Sequence, residues 1–250
     1  MVLSRGLYHR LTMPSPSRPQ RRADAETRPT ERPRQPWSPA SGALPRWVAE
    51  ELARVTPKGK LEGAVEALTT AAKDFADGRL GKAYEAAESA KKLSPRDATA
   101  REVMALSAYR MGRWDSALRE LRAFRRMTGE TLHLPVEMDV LRALERPEDV
   151  EKAWAVLRRH GGRRGTMDEG RVVYGSYLLD RGREREAWQV TNPKRMSVDA
   201  EESELRVWYV ASRAAAQLGD KATARRIYQA IERADTAFPG LDELDRVISS

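Results

Sequence analysis

The side chains that most often carry out catalysis are scarce in this chain of 250 residues. The sequence contains no cysteine and only three widely separated histidines, His9, His133 and His160. This excludes disulfides, thiolate nucleophiles and cysteine metal sites, and it leaves too few imidazoles for a histidine-rich metal centre. The metalloprotease, serine-hydrolase and phosphate-loop motifs are also absent. We therefore predict a protein that is not an enzyme and that holds no metal and no cofactor.

Arginine is the side chain with most potential for recognition, because it supplies 36 of the 45 basic residues. The arginines form two clusters: Arg119, Arg122, Arg125 and Arg126, and then Arg158, Arg159, Arg163 and Arg164. Such clusters could contact the phosphates of a nucleic acid. Acids such as Glu120 dilute the first cluster, however, and no RNA-reading motif with exposed aromatic residues accompanies either one. We interpret both as solvated helix surfaces, with nucleic-acid binding as the alternative.

The first 45 residues differ in composition from the rest. They contain eight of the fourteen prolines, and eight arginines against three acidic residues. This segment also contains few large apolar residues, and their burial cannot offset the conformational entropy lost on folding. We therefore predict that residues 1–43 are a disordered tail and that residues 44–250 form the folded domain. The composition is typical of an organellar transit peptide, of a bacterial tail, or of upstream sequence if Met13 is the true start.

The folded part shows a repeating pattern of glycine and alanine. Gly78, Gly112, Gly182 and Gly219 each stand five residues before an alanine. In the third repeat the anchoring alanine is assigned to Ala153, which puts Glu148 in the glycine position. A glycine that ends one helix before a second helix predicts a hairpin. The predicted hairpins are 64–76 with 80–93, 98–110 with 114–127, 136–145 with 149–160, 168–180 with 184–191, and 203–217 with 221–234.

This repeat of about 34 residues, with a proline near its end at Pro95, resembles the tetratricopeptide repeat (TPR) over about 64–237. The chain is also similar to repeat proteins of high-GC actinobacteria, and that similarity implies no activity. The resemblance implies an all-α fold: an α-solenoid of about five TPR-like helical hairpins. The segments 44–58 and 241–250 would form a leading helix and a capping helix.

The resemblance also implies a binding surface, because the first helix of each TPR hairpin lines a concave groove that holds a peptide. The residues carried onto that groove are Glu102, Leu106, Tyr109, Met138, Arg142, Glu145, Ser176, Tyr209 and Arg213. The lysine and asparagine clamp of chaperone-binding TPR proteins is absent, since Leu68 and Ala72 occupy its positions. Arg142 and Arg213 are expected to pair with acidic residues of a partner.

These observations predict a non-catalytic scaffold or adaptor that binds a partner peptide in its groove. The alternative is an adaptor for RNA or the ribosome that uses the basic tail and the arginine clusters. The lack of cysteine fits the reducing cytoplasm. No run of apolar residues is long enough for a membrane span, and the sequence does not define an oligomeric state.

Overall fold

The structure is a computed structural model that describes residues 37–249. Over that range the chain forms twelve α-helices and two short 3-10 helices, and it contains no strand. The all-α prediction is therefore confirmed. The helices form two compact units, 37–130 and 131–249, and each is described by itself below. The predictions for residues 1–36, including the tail, lie outside the described residues.

The N-terminal unit contains five α-helices. They are α1 (Arg46–Val55), α2 (Leu61–Ala76), α3 (Leu80–Leu93), α4 (Ala98–Arg110) and α5 (Trp114–Thr128). Each of α2 to α4 packs against the helix that follows it, and α2 also contacts α4. Small residues such as Ala71, Ala83 and Ala105 are fully buried where these helices meet, as the alanine pattern predicts.

Residues 37–43 belong to this folded unit, so the prediction that the tail extends to residue 43 is wrong. Trp37 is 7% exposed and lies in the hydrophobic core with Val48 and Leu52 of α1. Its indole nitrogen donates a hydrogen bond of 2.8 Å to the carbonyl of Ala43. Burial of this large aromatic ring anchors the short segment, although its neighbours are small or polar.

The C-terminal unit contains seven α-helices. They are α6 (Leu134–Ala143), α7 (Pro147–His160), α8 (Arg164–Asp180), α9 (Glu184–Thr191), α10 (Glu202–Gln217), α11 (Lys221–Ala234) and α12 (Leu241–Ser249). The first helices of the three hairpins pack side by side, because α8 contacts both α6 and α10. We call the first helix of each hairpin an A helix and the second a B helix. The last helix, α12, packs against α10 and α11.

Ten hairpin helices were predicted, and each corresponds to an observed helix. The largest difference is at α8, which begins at Arg164 and not at residue 168. The run 161–165, which lies between the predicted helices 149–160 and 168–180, ends α7 and starts α8. Gly161 ends α7 with φ 70°, and its amide donates to the carbonyl of Leu157.

The five hairpins share one backbone turn. Gly78, Gly112, Gly182 and Gly219 have φ between 66° and 84°, in the left-handed region that glycine adopts without strain. In each turn the following residue donates its amide hydrogen to the carbonyl five residues earlier, as Arg79 does to Asp74 at 2.8 Å. This bond is the helix-ending arrangement of a Schellman motif. The turns are therefore structurally equivalent.

The third turn corrects the alignment of the third repeat. Its left-handed residue is Glu145, with φ 55°, and Arg146 donates to the carbonyl of Leu141 at 2.9 Å. The equivalent of the anchoring alanines is therefore the buried Val150, and not Ala153. The assignment was three residues off because neither marker residue is present: a glutamate replaces the glycine and a valine replaces the alanine. The five turn residues, Gly78, Gly112, Glu145, Gly182 and Gly219, lie 34, 33, 37 and 37 residues apart.

Close helix contacts in the C-terminal unit depend on two glycines of α8. A Cβ atom on Gly170 would lie 2.3 Å from a methyl carbon of Leu157 on α7. A Cβ atom on Gly175 would lie 2.7 Å from Thr191 and 3.0 Å from Val210. The distances to Leu157 and Thr191 are shorter than real contacts, so α8 can approach its neighbours this closely only without side chains at these positions.

Candidate functional site

The residues carried onto the groove in the N-terminal unit all lie on α4. Glu102 and Tyr109 are 6% and 8% exposed, and the Tyr109 ring centroid lies 5.8 Å from that of Trp114. Leu106 is partly exposed. In the described chain, Leu106 is therefore the member of this group with substantial accessible surface.

The groove residues of the C-terminal unit differ widely in exposure. Met138 and Tyr209 are fully buried, Ser176 is 4% exposed and Arg213 is 7% exposed. Arg142 is partly buried, and Glu145 is exposed in the third turn. The corrected alignment moves Met138 and Glu145 out of the groove positions, brings Pro135 and Asp139 in, and keeps Arg142. The prediction that this set binds a partner stays a prediction, with Arg142 and Arg213 as its cationic members.

Arg142 links two A helices through carboxylates. Its guanidinium lies 3.0 Å from the carboxylate of Asp139 on α6 and 2.6 Å from that of Asp180 at the end of α8. It also borders a cleft of about 160 Å³. The cleft is lined by Arg142, Glu145, Arg146, Pro147, Val150, Tyr177, Asp180 and Arg181. Because two carboxylates already neutralise Arg142, this arginine has little capacity left for a ligand.

Arg213 on α10 has a different environment. It is 7% exposed, yet its guanidinium makes no hydrogen bond and no ion pair with any residue in 37–249. Burial lowers the pKa of Arg213 from its usual value. Its side-chain nitrogens are not among the fully enclosed atoms without a partner. The guanidinium therefore keeps a small contact with solvent while most of the side chain is covered.

Tyr209 lies one helical turn before Arg213 and is fully buried. Its hydroxyl is enclosed and has no hydrogen-bond partner among the residues described. The segment that leads to α12 covers it: the Phe238 ring centroid is 6.1 Å from the Tyr209 ring, and a Cβ atom on Gly240 would lie 3.2 Å from the hydroxyl. Burial raises the pKa of Tyr209 to about 12. Two polar groups without partners thus share one face of α10.

Arg206, on the same helix, shows how this protein normally accommodates a buried arginine. Its exposure is 7%, the same as that of Arg213. Its guanidinium lies 2.5 Å from the carboxylate of Glu169 on α8 and 2.7 Å from that of Glu202. The absence of such partners at Arg213 is therefore not a general property of α10.

The charges around Arg213 nearly balance. Asp180 and Glu243 act on it as negative charges and Arg142 as a positive one. Asp180 is held by Arg142, and Glu243 lies on α12 without forming an ion pair to Arg213. With its own charge and the second carboxylate on Arg142 included, the cluster of Arg142, Arg213, Asp139, Asp180 and Glu243 carries one net negative charge, so repulsion limits how much more negative charge it can accept.

Two other acidic residues, the buried Glu120 and the partly exposed Glu151, are paired within the described chain. Glu120, with a side chain only 3% exposed, accepts from Lys91 at 3.1 Å and Arg101 at 2.9 Å, so it joins α3, α4 and α5. Burial alone would raise the pKa of Glu120, but these two cations outweigh it and the pKa is lowered. In the C-terminal unit, Glu151 accepts from the hydroxyl of Tyr174 and from Arg183. These groups are satisfied within the chain.

Much of the two arginine clusters is also engaged. Arg119 lies 3.3 Å from the carboxylate of Glu120, and Arg122 and Arg125 also have partners. Arg164 is paired with Glu204. Arg158 and Arg159 are exposed near the end of α7. The interpretation as solvated helix surfaces fits these contacts better than a continuous phosphate-binding face does.

The sequence analysis selected Arg142 and Arg213 but missed Asp180 and Glu243, the acidic residues that determine how far each arginine is neutralised. Asp180 and Glu243 come from α8 and α12, 38 residues and 30 residues away in the chain, so no local pattern joins them to the arginines. The equivalent turns provide a signal that could have found Asp180. This aspartate comes two residues before Gly182, at the same helix end at which Arg142 precedes Glu145.

Comparison with known proteins adds no family to these observations. No protein-family model matches the chain, and no curated protein matches it significantly. Among residues 37–249 no group of histidine, cysteine, aspartate and glutamate side chains could hold a metal ion. Within the same range, none of the helices has the length and apolar character that crossing a membrane would demand.

Proposed function

We propose that this protein is a non-catalytic scaffold or adaptor of TPR-like hairpins that binds a peptide segment of another protein along its A helices. The observation that carries the proposal is the set of five equivalent turns, which join ten helices into repeated hairpins. Repeated hairpins bury their apolar faces against their neighbours and offer an extended surface for binding. Function then depends on the side chains displayed there.

The C-terminal unit supports the proposal most directly. Its A helices α6, α8 and α10 pack side by side, so residues at their last turns can act on one ligand. Arg142, Asp180 and Arg213 interact electrostatically across these three helices. An extended or helical peptide that crosses the three helices would meet apolar surface and a buried arginine.

Site-specific crosslinking tests this proposal. A photoreactive amino acid at Ala216, which is partly exposed on α10, should capture a partner from cells that express the protein. The same group at Gln229, exposed on the B helix α11, is the matched control and should capture none. Capture only from Gln229, or equally from both positions, would contradict binding along the A helices.

The alternative function, RNA or ribosome binding, is tested by filter binding at low and high salt. Among the described residues, the exposed Arg158 and Arg159 favour it. Phosphate contacts would make binding strongly dependent on salt. We expect no saturable RNA binding at physiological salt, and tight binding lost in an Arg158→Ala, Arg159→Ala variant would favour the alternative over the peptide-binding proposal.

A further inference from the structure

Arg213 combines two properties that seldom occur together. It is 7% exposed, and its guanidinium makes no hydrogen bond or ion pair with any residue between 37 and 249. A buried charge without a partner destabilises the folded chain, and folded proteins usually pair such groups, as this one does at Arg206. The uncompensated charge indicates that the partner comes from outside the described residues.

We propose that Arg213 receives one carboxylate of the bound partner, either an aspartate or glutamate side chain or the carboxylate at the end of its chain. This inference rests on the proposed function, because it assigns a ligand group to the same A-helix surface. It makes Arg213 the residue that selects an acidic position in the peptide.

Geometry favours a carboxylate over other acceptors. A guanidinium presents its N–H groups as a planar fork, which matches the two oxygens of a carboxylate. The hydrogen bonds are strengthened because the site is mostly removed from water. Arg213 keeps only a small opening to solvent, so a small planar group carried by a peptide fits better than a bulky one.

The neighbouring charges favour a single negative charge. Arg142 and Arg213 face the carboxylates of Asp139, Asp180 and Glu243, so the cluster already carries one net negative charge. A phosphate dianion would add two negative charges next to these carboxylates, where a carboxylate adds one, and the stronger repulsion would oppose the phosphate. We therefore expect acetate to bind more tightly than inorganic phosphate.

Tyr209 provides an internal control. Its hydroxyl has no partner but is enclosed beneath Gly240, whereas the nitrogens of Arg213 reach solvent. A ligand at Arg213 therefore does not contact the hydroxyl of Tyr209. Tyr209→Phe should leave ligand binding unchanged, while Arg213→Met should abolish it.

A competing interpretation pairs Arg213 with Glu243 of α12. The two residues interact electrostatically, but they form no ion pair in the structure. If Glu243 supplied the partner in solution, Glu243→Gln would leave Arg213 more exposed to ligand and would also destabilise the protein. If an external carboxylate is the partner, the same variant removes a repelling charge and tightens binding without lowering stability.

The first experiment measures small anions on the full chain. The N–H signal of the Arg213 side chain is assigned by NMR through its loss in Arg213→Lys, and it is followed with sodium acetate, sodium phosphate or acetamide at constant ionic strength. We expect a saturable shift with acetate in the wild type and in Tyr209→Phe, at least tenfold weaker binding of phosphate, and no shift with acetamide. An absent acetate shift, or a larger response to phosphate, would overturn the inference.

The second experiment identifies the source of the carboxylate with arrays of nine-residue peptides. One array carries single glutamates with amidated ends, a second carries glutamine in their place, and a third has no acid except a free C-terminus. The wild type should prefer one acidic array over the glutamine array by about tenfold, and Arg213→Met should bind peptides without that preference.

The outcomes separate the inference from the function on which it rests. Peptide binding with an acidic preference that survives in Arg213→Met would overturn the inference and leave the scaffold function standing. Saturable acetate binding without any peptide binding would contradict the scaffold function and leave Arg213 as a site for a small carboxylic acid.

Discussion

The sharpest prediction compares Arg213→Met with Arg206→Met. Both arginines lie on α10 with 7% exposure, and methionine keeps most of the apolar stem while it removes the charge. Arg206 pairs with Glu169 and Glu202, whereas Arg213 makes no ion pair with any described residue. The two substitutions therefore remove equally buried guanidinium groups, one of which has ion-pair partners while the other has none.

Arg206→Met is expected to destabilise the protein, and Arg213→Met is not. Arg206→Met leaves Glu169, whose side chain is 27% exposed, without its cation, and breaking a buried pair costs about 3–5 kcal/mol. Because Glu202 is 48% exposed and water compensates it, we expect a loss of about 2–3 kcal/mol. Arg213→Met removes a buried charge that has no partner, so the free energy of unfolding should stay constant or rise by up to about 2 kcal/mol.

Hydrogen exchange of the α10 amides measures both values in the full chain, because it reports the free energy of opening at that helix. Tyr209→Phe, which removes a buried hydroxyl without a partner, should also be neutral or stabilising by about 1 kcal/mol. If Arg213→Met lost as much stability as Arg206→Met, Arg213 would have an internal partner in solution. The reasoning about an external carboxylate would then be refuted.

Three further predictions concern the turns, the helix contacts and the pH dependence. Glu145→Gly should raise the free energy of unfolding by about 0.5–1 kcal/mol in urea titrations, because glycine removes the cost of φ 55°, and a loss would contradict the shared turn. Gly170→Ala should cost about 1–3 kcal/mol, since its Cβ atom would lie 2.3 Å from Leu157, whereas Gly165→Ala, with no atom within 4 Å, should not destabilise. The pKa of Glu120 is lowered in the folded chain, so its contribution to stability is full above about pH 4.5 and is lost as the pH falls through the folded value. Unfolding measured from pH 7 to pH 3 should therefore show a smaller loss on acidification in Glu120→Gln than in the wild type, and equal losses would refute this role.

Helix positions could be predicted from the sequence because they depend on local signals. Four glycines, each five residues before an alanine, placed four of the five turns correctly, and the structure gives these glycines positive φ angles. The third turn was misplaced because Glu145 takes the left-handed conformation without being a glycine, and hydrogen bonds to α6 hold it there. The hydrogen bond from Arg146 to Leu141 that identifies it is a property of the backbone and leaves no mark in the sequence.

The candidate site could be predicted only in part, because its properties come from residues far apart in the chain. The type and spacing of Arg142 and Arg213 indicated two cations on A helices. Their different roles depend on Asp180, which forms an ion pair with Arg142 but not with Arg213. They also depend on α12, which packs against α10. Burial of this kind is decided by tertiary packing, so a residue chosen as accessible, such as Tyr209, is in fact enclosed.

The shared turn also bears on how such a chain can change its length. Every bond that closes the turn joins residues at most five positions apart, so the connection needs no support from elsewhere in the protein. A gene segment that encodes one hairpin could therefore be duplicated, deleted or exchanged between relatives without redesign of the joints. The unequal spacings, 33 to 37 residues, show that the helices and loops between joints tolerate small insertions while the joint itself stays constant.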